Sequence, residues 1–269
     1  MLTAYWLNFA NRCRIDMGPF EYFIIVVGGI MAGVINTLSG NGSAITLTIL
    51  SEMMGLPGNV ANATNRIGIV GQSLTAYWVF RQKGLVDFSR TWLFLLFMVL
   101  GSLGGIWLAL VITSSAFLDV FRYLLVFMLI ALLVRPEQWM RETNIDHNPS
   151  PWLVVPIALA IGFYGGFIQM GMGIFFLFIM VLGARFSMAD ANVLKIAGVG
   201  IYTFLALVIF SWKGLVNWEA GLLIALAQTL GGYLGAHFAA VHPQANRWAY
   251  RLLIVMVLLS IIQLFGGFS

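Results

Sequence analysis

The chain has 269 residues, of which 61% are hydrophobic and only 9% are charged. Because soluble domains carry about a quarter charged residues, this composition excludes an ordinary soluble domain and indicates a polytopic membrane protein. The net charge of +4 is attributed to loop lysines and arginines that orient the chain, and no nucleic-acid partner is predicted. The single cysteine, Cys13, excludes a disulfide framework and a thiolate metal site.

Ten apolar runs follow one another along the chain. They lie at about 20–38, 45–56, 62–80, 92–112, 117–134, 152–169, 174–183, 191–210, 218–240 and 248–265. A spanning helix needs about 20 apolar residues, so the second and seventh runs are too short to cross a bilayer as they stand. Each of these two runs directly follows a glycine-rich break.

An internal repeat relates the two halves of the chain at an offset of 130 residues. The sequence KGLV at 83–86 recurs at 213–216, and apolar composition alone does not explain a shared run that contains Lys and Gly. The repeat predicts a first membrane unit over 20–134, a polar inter-repeat loop over 135–151 and a second membrane unit over 152–265.

The predicted fold is an all-α polytopic membrane protein with two homologous halves. The stretch 20–56 would measure about 55 Å as one helix, nearly twice the hydrocarbon thickness, so a hairpin at each glycine break fits better. A hairpin plus three spanning helices gives each half an odd number of segments, and the halves are then inverted repeats. If each break only interrupts one spanning helix, the halves are parallel, and the distribution of Lys and Arg favours neither arrangement.

The two breaks supply the first candidate binding residues. Irregular backbone at membrane depth is tolerated only where protein or a water-filled cavity satisfies it, and paired glycine-interrupted segments indicate a transporter's binding site. Free N–H groups at the following helix start favour anions, although the polar residues could simply cap a tight turn. The candidates are Ser39, Gly40, Asn41, Gly42 and Ser43 in the first break and Gln169, Gly171 and Gly173 in the second.

A polar helix start follows each break and supplies the second set of candidates. An ionisable residue within a membrane segment is costly and is a functional hypothesis by default. We therefore predict that one cation from each half contributes to a shared anion site, although either could instead extend to the membrane interface. The candidates are Asn62, Thr64, Asn65 and Arg66 in ANATNRIG, and Asn192 and Lys195 in ADANVLKI.

These motifs occur in an order that resembles the TauE/SafE-type sulfite exporter family of anion permeases. AGVINTLSGNGSAI and GGFIQMGMGIFF each precede a polar helix start, and KGLVDF or KGLVNW follows. The likeness covers nearly the whole chain, but the family usually has more consecutive glycines in the first break, where this chain has Asn41, Ser43 and Thr46. The resemblance implies transport of sulfite, sulfonates or related sulfur oxyanions across the cytoplasmic membrane of a prokaryote.

The expected function is therefore a secondary transporter, a permease or exporter, for a small anion that works by alternating access where the repeats meet. The remaining alternatives are an anion channel, a membrane-embedded enzyme and a structural subunit. No intramembrane histidine, cysteine or acid pair stands out in the sequence, so neither a catalytic residue nor a metal or other cofactor is predicted. The expected partners are the anion and lipid, with a homo-oligomer left open.

Overall fold

The computed structural model describes residues 18–38, 40–83, 92–133, 151–177 and 188–242, together with scattered positions between 180 and 262. All regular secondary structure within those ranges is helical, which confirms the predicted all-α class. In these ranges, four helical stretches are long and apolar enough to cross a membrane: Pro19–Leu38, Trp92–Val111, Ala191–Trp212 and Trp218–Val241.

The described helices of the two halves correspond in order. The first half contains α1 (Pro19–Leu38), α2 (Gly42–Thr48) with a π-helical turn (Ile49–Met53), α3 (Gly58–Gln82), α4 (Trp92–Val111) and α5 (Ser114–Leu133). The second half contains α6 (Pro151–Phe167), α7 (Met172–Leu177), α8 (Met188–Trp212) and α9 (Trp218–Val241). The counterparts α3 and α8 each have 25 residues and begin 130 positions apart. The predicted loop and last apolar run fall largely outside the described residues.

Helices α2, α3 and α8 begin about three residues before the apolar runs that predicted them. Their first turns contain small or polar residues, such as Gly42 and Asn59, which hydropathy does not distinguish from a loop. The first turns of α2 and α3 are mostly buried, so packing supports a helix there where composition alone does not.

Helices α1 and α2 form a hairpin, and the chain reverses at Gly40. A side chain at Gly28 would meet Ile49, whereas a side chain at Gly42 would collide with the backbone of Ala32. Gly28 thus lies beside Ile49, and the later residue Ala32 lies beside the earlier residue Gly42, so the two segments run in opposite directions. This is the arrangement expected for a glycine-broken hairpin over 20–56.

The first helix of each hairpin packs against the other half. Helix α1 lies along α9, and a Cβ on Gly33 would enter the backbone of Gln228. Helix α6 lies along α4 in the same way, where a Cβ on Gly105 would enter the backbone of Phe163. Small residues allow this close approach, which lets helices pack in a membrane without a hydrophobic driving force.

The counterparts α3 and α8 pack against each other in opposite directions. Ser73 of α3 lies against Gly200 of α8, whereas Phe80, later in α3, clusters with Val193, earlier in α8. The contact therefore joins the middle of each helix to the middle of its own counterpart.

In the described parts of the chain, many large apolar side chains are exposed, and many polar side chains are buried between helices. Trp107 and Leu226 are 64% and 72% exposed, whereas Arg66 and Gln228 are fully buried. This distribution is the reverse of that in a soluble protein. It fits a surface covered by lipid and a polar interior formed between helices.

Candidate anion site between the two broken helices

The two glycine breaks meet inside the helical assembly. Gly40 and Gly171 have φ angles of +81° and +69°, in the left-handed region that favours glycine. The Gly173 amide donates a hydrogen bond to the Gly40 carbonyl over 3.1 Å, and a Cβ on Gly40 would collide with Cα of Gly173. One irregular segment from each half is thus in direct backbone contact with the other.

A small polar cavity lies beside this contact. Its volume is about 20 Å³, enough for about one water molecule, so the site is nearly closed in this conformation. Both halves contribute to its lining. The polar side chains that line it are Asn36, Ser43, Gln72, Ser73, Gln169 and Lys195.

Lys195 is the cation of this cavity. Its side chain is only 2% exposed, and Nζ donates to the carbonyls of Thr37 and Asn36 at 3.2 and 3.5 Å. These carbonyls belong to the last turn of α1, where a positive charge is favourable. An ammonium has three N–H donors, so one remains for a ligand in the cavity. Across the described residues, the one ion pair joins Arg122 to Asp119, and Lys195 has no acidic partner.

Arg66 occupies the matching place in the second break. Its two terminal nitrogens donate to protein acceptors, whereas its Nε has no hydrogen-bond partner among the described residues. One terminal nitrogen donates to the Gly165 carbonyl at 2.9 Å and to the Gln169 side chain. The other donates to the carbonyls of Gly166 and Phe167 at 2.9 and 3.2 Å, and also to Asn62. The guanidinium thus caps the carboxyl end of α6 and does not line the cavity.

Each cation therefore caps the broken helix of the opposite half. The sequence prediction placed Arg66 and Lys195 on matching helices, which are α3 and α8 in the structure. The prediction that they share one anion does not fit this arrangement, because only Lys195 lines the cavity. The terminal nitrogens of Arg66 already donate to five acceptors within the protein.

The other polar candidates on α3 connect it to neighbouring segments. The Asn62 amide donates to the Phe167 carbonyl at 2.9 Å, and the Thr64 hydroxyl accepts from the backbone of Asn217 at 2.9 Å. Asn65 accepts a hydrogen bond of 2.6 Å from the Thr46 hydroxyl. These contacts position α3, and none of the three candidates lines the cavity.

The remaining candidates divide between the cavity and its surroundings. Gly40, Ser43, Gln169 and Gly173 line the cavity. Asn41 follows Gly40 in the chain and is fully buried. Its side-chain nitrogen and oxygen have no hydrogen-bond partner within the described residues. The other three candidates are Gly42, Gly171 and Asn192, which do not line the cavity, and Ser39 lies outside the described residues.

Three polar cavity residues, Asn36, Gln72 and Ser73, were not predicted from the sequence. Asn36 donates to Gln72 at 3.3 Å and accepts from the backbone of Ser43 at 3.2 Å. The Ser73 hydroxyl is buried and has no hydrogen-bond partner in the part of the chain that the structure describes. Asn36 could have been recognised as an amide in an otherwise apolar run, and Gln72 in the same way.

The fold and this site define a class of protein, a helical membrane transporter built around broken helices from two related halves. The sequence matches the family model described as "Sulfite exporter TauE/SafE" over residues 25–264. The chain belongs to this family, and it is an integral membrane protein.

Curated relatives are similar over most of their length. The chain is 26% identical over 231 residues to a "Probable membrane transporter protein" of Haemophilus influenzae, covering 82% of this chain and 86% of that one. It is 27% identical to "Probable membrane transporter protein ORF9" of a Sinorhizobium species, covering 80% and 82%. It is 23% identical to "Probable membrane transporter protein YfcA" of Escherichia coli K12, covering 82% and 81%. No solved structure matches the chain.

Proposed function

We propose that this protein is a secondary transporter of a sulfur oxyanion, such as sulfite or a sulfonate, and that the anion binds in the cavity where the two breaks meet. The observation that carries the proposal is Lys195, a buried ammonium that lines this cavity and has no acidic partner in the described ranges. Burying an unpaired charge is costly. A bound anion would offset that cost.

The donors around the cavity suit an oxyanion. Lys195 supplies a positive charge, while the hydroxyls of Ser43 and Ser73 and the amide of Gln72 supply neutral donors. An oxyanion with several equivalent oxygens can accept hydrogen bonds from several directions at once. This donor set uses charge for affinity and hydroxyl or amide groups for orientation.

Transport requires this cavity to widen, because about 20 Å³ is too small for a sulfur oxyanion. We propose that the halves are inverted repeats that open the site alternately to the two sides. The antiparallel packing of the counterparts α3 and α8 supports this. The reciprocal packing of α1 on α9 and of α6 on α4 also supports it. In such transporters, one bundle moves against the other around a fixed central site.

The test is flux of radiolabelled sulfite and of methanesulfonate into proteoliposomes that contain the purified protein. We expect saturable flux that Lys195→Met abolishes, whereas Lys213→Met, which removes an exposed lysine, leaves it unchanged. Flux that rises linearly with concentration would instead indicate a channel. If neither sulfite nor methanesulfonate is transported, whichever way the protein is oriented in the membrane, the proposed substrate class is wrong.

A further inference from the structure

An apolar groove lies on the lipid side of the polar cavity, between α3 and α8. Its volume is about 530 Å³, within the range of small-molecule binding sites. Leu74, Ile201 and Phe204 are largely exposed along it. Because Ala191–Trp212 is long and apolar enough to span the membrane, this groove opens towards the hydrocarbon. Its main lining residues are Leu74, Tyr77, Ile196, Gly200, Ile201 and Phe204.

The groove and the cavity share a wall that is one side chain thick. Ser73 and Ile196 each line both spaces. A methyl group at Gly200 would lie 3.2 Å from Cβ of Ser73, so the absence of a side chain there keeps the two helices close at this wall. The Ser73 hydroxyl has no hydrogen-bond partner among the described residues, so no protein contact of this group must break when its side chain turns.

We infer that the transported anion is amphiphilic, an alkyl sulfonate or related species whose tail occupies this groove while its head binds beside Lys195. This inference rests on the proposed function of the cavity and names the substrate class more narrowly. The groove offers the tail an apolar lining. The cavity, which shares Ser73 and Ile196 with the groove as lining residues, offers the head a cation and hydroxyls.

The groove also accounts for a substrate that is longer than the cavity, although the cavity must still widen to admit the sulfonate head. Only the sulfonate head needs to enter the space between the breaks. The tail leaves through the gap between α3 and α8, where movement of Ser73 and Ile196 would join the two spaces. Ordinary membrane lipid could also occupy the groove. A lipid tail there would not need the groove to adjoin the cavity, whereas a substrate with its head in the cavity does.

The experiment measures the affinity of the detergent-purified protein for methanesulfonate, propanesulfonate and hexanesulfonate by competition with radiolabelled methanesulfonate. We expect affinity to rise by about fourfold for each methylene that enters the groove. Hexyltrimethylammonium and 1-hexanol, which carry the same tail on a cationic or neutral head, should not compete. Equal competition by either compound would overturn the inference, because it would show partition without recognition of the head.

Variants separate the tail from the head. Ala197→Phe adds bulk to the lining of the groove and should remove the dependence on chain length, with methanesulfonate affinity within twofold of wild type. Ala160→Phe, at an exposed position of α6, is the matched control and should keep the dependence. Phe204→Ala removes part of the groove wall without adding bulk and should weaken binding of hexanesulfonate more than binding of methanesulfonate.

The outcomes distinguish this inference from the proposed function. Binding of methanesulfonate with no dependence on chain length would contradict the amphiphilic substrate and leave the anion site standing. A chain-length dependence that Ala197→Phe and Phe204→Ala leave unchanged would place the tail elsewhere and also contradict the inference. Failure of every sulfonate to bind folded protein would contradict both.

Discussion

The two breaks are counterparts in the repeat, yet the cation at each has a different environment. Arg66 donates five hydrogen bonds to the second break and its surroundings. Lys195 donates two longer ones to the end of α1, at 3.2 and 3.5 Å, and lines the cavity. The comparison indicates that Arg66 stabilises the second break through its terminal nitrogens, whereas Lys195 lines the cavity and keeps a donor for a ligand there.

The chemistry of the two side chains fits this division. The planar guanidinium presents five N–H donors in a fixed fork, so it can bind several carbonyls of one helix end at once. The ammonium is a compact charge with three donors on a flexible stem, so it can bind a helix end and a ligand together. The second break is also the more constrained one, because Gln169 adopts a φ of +61°, which is uncommon for a residue with a side chain.

Arg66→Met is the sharpest way to break the comparison, and it has the largest expected effect. It leaves the carbonyls of Gly165 and Gly166 without their charged donor, and each buried acceptor left unsatisfied typically costs about 1–3 kcal/mol. We expect a loss of this size in unfolding free energy in detergent, while Arg81→Met, at an exposed position of α3, changes little. Equal stability of the two variants would show that Arg66 does not hold the second break.

Gly40→Ala tests whether the close contact between the breaks stabilises the protein. Gly40 and Gly55 both have positive φ, at +81° and +66°, but only Gly40 contacts another backbone, that of Gly173. Gly55→Ala should therefore lower the free energy of unfolding by about 1–2 kcal/mol, because alanine is strained at a positive φ. Gly40→Ala should cost more and also reduce transport, as measured by thermal unfolding and by flux. Matching losses in the two variants would mean that the contact can relax freely.

Ser73→Ala has the smallest expected effect and sharpens the assignment of the cavity. The hydroxyl has no protein partner in the described structure, so its removal should leave the stability unchanged. If the hydroxyl binds the anion, affinity should fall by about twofold to tenfold, the usual range for one hydrogen bond. Ser211→Ala removes another buried hydroxyl without a partner in the described residues, outside the cavity lining, and should leave affinity unchanged. Identical affinities in both variants would remove Ser73 from the site.

The sequence predicted the architecture better than the contacts of its polar residues. Hydropathy and the repeat predicted helices around Gly40 and Gly171, since glycine and polar breaks in an apolar chain are strong local signals. The sequence could not show that Arg66 caps α6, because three of its five acceptors are backbone carbonyls about 100 positions away. A backbone carbonyl carries no residue-specific signal, so the cation that caps the second break and the cation that lines the cavity look alike in sequence.

The role of Asn62 and Thr64 was equally hidden. Both lie in the polar helix start that predicted the site, but each binds backbone of the other half, at Phe167 and Asn217 respectively. A polar residue in a membrane segment therefore indicates a buried partner, and only the tertiary structure shows whether that partner is a ligand or the protein itself.

The most direct test of the central claim is the affinity of folded Lys195→Met for methanesulfonate. A charge-assisted hydrogen bond contributes about 1.5–3 kcal/mol, so we expect binding to weaken by about tenfold to a hundredfold. Lys213→Met should bind as wild type does. If Lys195→Met keeps wild-type affinity, the anion does not bind at the junction of the two breaks through this lysine, and the account of the site is wrong.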